Sequence, residues 1–130
     1  MKWSIQQIYR SINSPLEFSG EVDYSEYAKG VSDIIRMDIV KYSGSCRSSG
    51  DDRYEFDINI KTTLYLEDAR TLEEVPYEID IDVYEIFTKD KKEIENSDDD
   101  IYYIEKNTVD LYDVIWEEIL LEKPIRITKE

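Results

Sequence analysis

The chain has 130 residues, enough for one ordinary domain with a core of its own. It carries 31 Asp and Glu against 16 Lys and Arg, a net charge of −15, with one cysteine and no histidine. Those numbers exclude an internal disulfide, a cysteine–histidine zinc site and a Ser–His or Cys–His nucleophile pair.

The elements follow from the pattern of apolar residues. Ser4 to Gln7 reads as a capping box, with Ile5, Ile8, Tyr9 and Ile12 on one helical face and a stop at Asn13 and Pro15. Leu16, Phe18 and Val22 alternate with polar neighbours and predict a strand over Leu16–Val22. Asp23 to Glu26 repeats the capping pattern ahead of a short helix closed by Gly30. Ser32 to Tyr42 predicts one further strand. Cys46 falls in a polar stretch and is expected near a turn, and Arg47 to Arg53 reads as a hairpin connection. Tyr54 to Ile60 is the cleanest strand. Tyr54, Phe56, Ile58 and Ile60 share one face, and the alternation runs on to Leu66. Tyr77 to Val83 repeats it, with Glu78, Asp80 and Asp82 turned outward. The phase breaks at Tyr84–Phe87, which suggests a bulge. Residues 88–100 are dense in charge and are expected to form a flexible acidic loop. Ile101 to Ile104 predicts a last short strand. Asp110 caps a helix to Glu122 with Leu111, Val114, Ile115 and Ile119 at core spacing, ended by Pro124. The fold class is α+β: a single domain of mostly antiparallel sheet, with a short N-terminal helix and a C-terminal helix.

No residue stands out as catalytic. No P-loop or dinucleotide fingerprint is present, and 4 glycines leave little material for either. Asp98, Asp99 and Asp100 lack the alternating spacing and turn glycine of a calcium loop, so no metal and no cofactor is expected. Nothing at the N-terminus resembles a signal peptide and no apolar run reaches the length of a membrane span, which points to a cytoplasmic protein.

The charge is placed unevenly. Residues 1–50 hold 6 acids and 6 bases, so residues 51–130 supply the whole −15. Such a field repels phosphate and attracts cationic partners, so no direct tight nucleic-acid binding is expected. Eleven tyrosines supply rings suited to an interface, with Tyr102 and Tyr103 beside the acidic loop and Tyr112 and Trp116 on the last helix as candidate anchors.

Three segments together resemble the YceD family, the bacterial large ribosomal RNA subunit accumulation proteins. They are Met1 to Ile8, Ala69 to Ile79 and Val109 to Arg126. The resemblance implies a non-enzymatic role in accumulation or processing of large-subunit ribosomal RNA. Many members of the family have a cysteine just before the stretch that corresponds to Arg70-Thr71-Leu72-Glu73, and others near the C-terminus. Here Asp68 stands at the upstream position and the tail has no cysteine, so a thiol- or metal-linked role does not transfer. The candidate partner-binding residues are Arg70, Thr71, Leu72, Glu73, Asp98, Asp99, Asp100, Tyr102, Tyr103 and Arg126. Arg70 and Arg126 would lie together at a docking surface; otherwise Arg70 pairs with a neighbouring acid and pins its loop. The expected partner is a basic protein of large ribosomal subunit assembly. Two other readings compete: an acidic mimic that blocks a nucleic-acid-binding protein, and a hydrolase with paired carboxylates, which would need a deep pocket.

Overall fold

The computed structural model describes residues 1–4, 15–48, 52–96 and 101–124. The N-terminal helix expected over residues 4–12 falls almost wholly outside them. Ser4 itself ends a strand, β1 (Lys2–Ser4).

The fold is α+β and its sheet is dominated by antiparallel pairs. Strands β2 (Leu16–Val22), β3 (Ile34–Met37), β4 (Val40–Ser48), β5 (Arg53–Glu67), β6 (Glu74–Thr88) and β7 (Ile101–Tyr103) build it. The strand order is β2-β4-β5-β6-β7, with β3 also on β5. The long hairpin β5–β6 is its spine: its fifteen-residue strands stay in register from Arg53↔Thr88 to Glu67↔Glu74. The even-numbered residues of β5 from Tyr54 to Leu66 are all buried. Period-2 alternation in a half-covered antiparallel sheet produces this pattern, with apolar residues inward and polar ones outward.

A second layer covers the inner face. It comprises helix α1 (Ser25–Ala28), the ribbon of β1 with β8 (Thr108–Asp110), and helix α3 (Tyr112–Glu122). Trp3 on β1 lies 4.9 Å from Phe18 and 6.0 Å from Phe56, centroid to centroid. Leu111, Val114, Ile115 and Ile119 enter the same core. Tyr24 is fully buried and its hydroxyl donates to the Tyr112 carbonyl at 2.6 Å. Burial raises its pKa well above the usual phenol range. Lys123, at the end of α3, donates to Asp33 Oδ2 at 2.6 Å and ties that helix to the turn before β3.

Several expectations are corrected. Ser32–Tyr42 is not one strand: β3 and β4 run in tandem along β5, interrupted at Asp38 and Ile39. The interruption is held in place, since the Asp38 N–H donates to the Thr63 carbonyl and Thr62 Oγ1 donates to the Asp38 carbonyl, both at 3.0 Å. Cys46 is not at a turn but buried within β4, opposite Phe56. The small polar residues around it hid the strand, because Ser43, Ser45 and Arg47 face outward. Gly44 is required there, since a Cβ would run into the Asp57 carbonyl of β5. No bulge interrupts β6 at Tyr84–Phe87, where the pairing with β5 is continuous. The apolar pattern changes because both faces are covered at that end. Glu85 and Phe87 point to the inner face, while Ile86 and Thr88 are buried on the other, near helix α2 (Lys91–Asn96), which packs on β6 and β7. The stretch 88–100, read as loop, thus begins in β6 and contains α2. Residues 97–100 lie outside the described residues. β7 returns parallel to β6 after this crossover.

Candidate functional site

The sheet's outer face is lined mainly by polar side chains. Its chemistry can be read row by row from the strand register. One row runs Glu21, Lys41, Lys61, Asp80, and the next Ser19, Ser43, Asn59, Asp82. Along β6 the outward residues include Glu78, Asp80 and Asp82, and also Glu74, to which Arg36 Nε donates at 2.6 Å.

This carboxylate line is ordered by a neutral group. Asn59 Nδ2 donates to Asp80 Oδ1 at 3.0 Å and to Asp82 Oδ1 at 2.9 Å. The carboxamide orients both carboxylates without adding charge, and Lys61, opposite Asp80 in the register, is the nearest cation of the row. Further along, Arg47 Nε donates to Glu55 Oε2 at 3.1 Å, and the exposed Tyr84 hydroxyl also donates to Glu55. The Tyr84 bond, helped by Arg47, lowers the Glu55 pKa, so this group is held as a carboxylate and is unsuited to act as a general acid near neutral pH.

The hairpin loop after β5 is organised by Asp68, which is fully buried. Its Oδ1 accepts from the Arg70 N–H at 2.7 Å and the Thr71 N–H at 2.9 Å. Its main chain closes the loop, with the Asp68 N–H donating to the Glu73 carbonyl at 2.8 Å and the Leu72 N–H to the Asp68 carbonyl at 3.0 Å. The short side chain of Asp mimics a backbone turn in this way. Arg70, Thr71, Leu72 and Glu73 are consequently exposed on a fixed loop. Leu72 is 66% exposed and has φ 64, the left-handed region that glycine prefers.

Tyr102 and Tyr103 lie at the opposite end of the sheet, paired with Phe87 and Thr88. The Tyr102 ring stacks on Phe87 at 5.1 Å, and its hydroxyl donates to Glu117 Oε2 at 3.1 Å. Burial, with Glu85 close by, raises its pKa far above the usual phenol range. Tyr103 is exposed, with Lys91 Nζ 5.3 Å from its ring centroid. The length of β5 separates these tyrosines from the Arg70–Glu73 loop by about 45 Å at ordinary strand rise. The structure does not bring the two groups together. Asp98, Asp99, Asp100 and Arg126 lie outside the described residues. Trp116 is only 9% exposed and packs 5.4 Å from Tyr24, so it belongs to the core rather than to an anchor surface. Tyr112 is half-buried in the same aromatic group, 4.8 Å from Tyr24. Sequence reasoning passed over Tyr84, whose exposed ring borders the carboxylate line, because it sits where the apolar alternation changes.

A family model described as large ribosomal RNA subunit accumulation protein YceD matches residues 56–130, from β5 through α3. The chain belongs to the YceD family. The uncharacterized protein YlbN of Bacillus subtilis (strain 168) is 34% identical over 127 residues, which cover 98% of this chain and 73% of that protein. No solved structure matches. The YceD match begins at Phe56 and so takes in the Asp68–Glu73 loop and the whole carboxylate line of β6. Among the described residues of this YceD chain, no helix is long and apolar enough to cross a membrane.

Proposed function

We propose that the chain acts in the cytoplasm as a non-enzymatic binding factor in the accumulation of large-subunit ribosomal RNA. It does so by docking a basic protein of large-subunit assembly on the outer face of its sheet. The observation that carries this reading is the carboxylate line Glu78, Asp80 and Asp82 in a family named for ribosomal RNA accumulation. Opposite charge raises encounter rates and fixes register, while like charge keeps free RNA away. Exposed Tyr84 beside the line supplies the ring that charge alone cannot, since specificity needs an anchor. The Arg70–Glu73 loop, at the turn that leads into β6, serves a separate contact.

The experiment is binding of the purified chain to RNA-free proteins of the large subunit, alongside E78Q/D80N/D82N. Salt-sensitive binding that the triple substitution weakens supports the reading. Binding to naked ribosomal RNA in place of protein overturns it. Competition between RNA and this chain for one partner surface favours the acidic-mimic reading instead.

A further inference from the structure

Among the described residues, the outward edge of β6 is open over most of its length. Among the described residues β6 pairs with β5 along all of its course, but with β7 only at Ile86–Thr88. Three observations fix which backbone groups face that edge. The Ile104 N–H donates to the Thr88 carbonyl at 2.8 Å on the β7 side, and the Lys89 N–H donates to the Asp52 carbonyl at 3.0 Å on the β5 side. In an antiparallel ladder a residue turns its N–H and C=O the same way, and alternate residues turn oppositely. Even-numbered residues therefore present both groups outward. Pro76, which has no N–H to give, falls in that same phase, where β5 loses no bond. The N–H and C=O groups of Glu78, Asp80, Asp82 and Tyr84 point to a side with no described strand.

Resting on the basic partner proposed above, we infer that this edge accepts an extended segment of that partner as an added strand, one in which Lys or Arg alternates with apolar residues. Strand addition to an open edge takes its affinity from main-chain bonds and its specificity from alternate side chains. Here the two faces of the edge ask for different residues. Glu78, Asp80 and Asp82 lie on one side, with Asp80 and Asp82 already oriented by Asn59. On the other, half-buried Ile81 and Val83 form the rim of the core and would be covered by apolar side chains. Glu78 to Tyr84 spans about 20 Å, the length of an ordinary strand. A second copy of this chain is disfavoured as occupant, because pairing two such edges sets carboxylates against carboxylates.

The test is amide hydrogen exchange on the full chain, with a short synthetic peptide alternating lysine and valine as the probe. A second peptide of the same sequence carries N-methyl groups on the backbone nitrogens that would face β6. The expected result is that the Glu78, Asp80, Asp82 and Tyr84 amides exchange fast in the free chain and slow several-fold with the first peptide. The Ile79, Ile81 and Val83 amides, bonded to β5, stay slow throughout, and the methylated peptide has no effect. Outward amides already protected in the free chain would overturn the inference, as would equal binding of both peptides or no protection by either. The probe contains no ribosomal component. Failure here therefore leaves docking on the sheet face standing, and failure of large-subunit proteins to bind leaves this result standing.

Discussion

Replacing Asp68 with alanine tests whether one buried carboxylate holds the loop that carries Arg70–Glu73. Two bonds go to a single oxygen, from the Arg70 and Thr71 N–H groups at 2.7 and 2.9 Å. Bonds to a charged group contribute about 1.5–3 kcal/mol each, which bounds the pair at roughly 3–6 kcal/mol. Arg70 and Thr71 are exposed, so water takes over part of the lost bonding, and the expected loss is about 2–3 kcal/mol. Asn keeps an acceptor oxygen at the same place, so Asp68→Asn should cost clearly less than Asp68→Ala. Urea unfolding at neutral pH measures both, and hydrogen exchange should show the loss first at the Glu67–Glu74 end of the hairpin. A change below about 0.5 kcal/mol for Asp68→Ala, the usual range of a neutral surface substitution, would refute the reasoning.

Leu72→Gly should leave stability unchanged or raise it by up to about 1 kcal/mol, because glycine accepts the left-handed φ without a Cβ penalty; a clear loss in urea unfolding would show that the leucine side chain packs. Burial pushes the Cys46 thiol up to about 12, so it should resist thiol reagents at mildly alkaline pH until the chain unfolds; rapid labelling of the native protein would contradict the β4 placement. Tyr84→Phe should raise the Glu55 carboxyl pKa, read by carboxyl carbon shifts during titration, since the Tyr84 bond is the main cause of its lowering. A lowered folded pKa gives stability that is present above the unfolded value and lost as pH falls through the folded one. The substitution should therefore move the Glu55 share of acid sensitivity upward in pH, and an unchanged titration would contradict it.

The parts of the fold that rest on strict alternation were legible in the sequence. β2 and the β5–β6 spine follow from apolar residues at every second position, and α3 from its apolar stripe. Other elements could not be read locally. β4 contains Ser43, Gly44, Ser45 and Cys46, a turn-like composition that becomes a strand only because β2 and β5 flank it on both sides. β1 and β8 are three residues each and exist through pairing with one another across the length of the chain. At the candidate site, the carboxylate line was visible as Glu78, Asp80 and Asp82, but its ordering by Asn59 was not, because that bond joins residues more than twenty positions apart. The distance between the Arg70 loop and Tyr102 was likewise hidden, since it depends on the hairpin running unbroken through Tyr84–Phe87.

The central claim is that the outer face steers a basic partner of large-subunit assembly. The most direct measurement is the association rate of the chain with RNA-free large-subunit proteins, across a salt series, for the natural sequence and for E78Q/D80N/D82N. Removing three carboxylates from the encounter face should slow association by about tenfold at low salt and flatten its salt dependence, with dissociation changed far less. An association rate indifferent both to salt and to the substitutions would contradict the account.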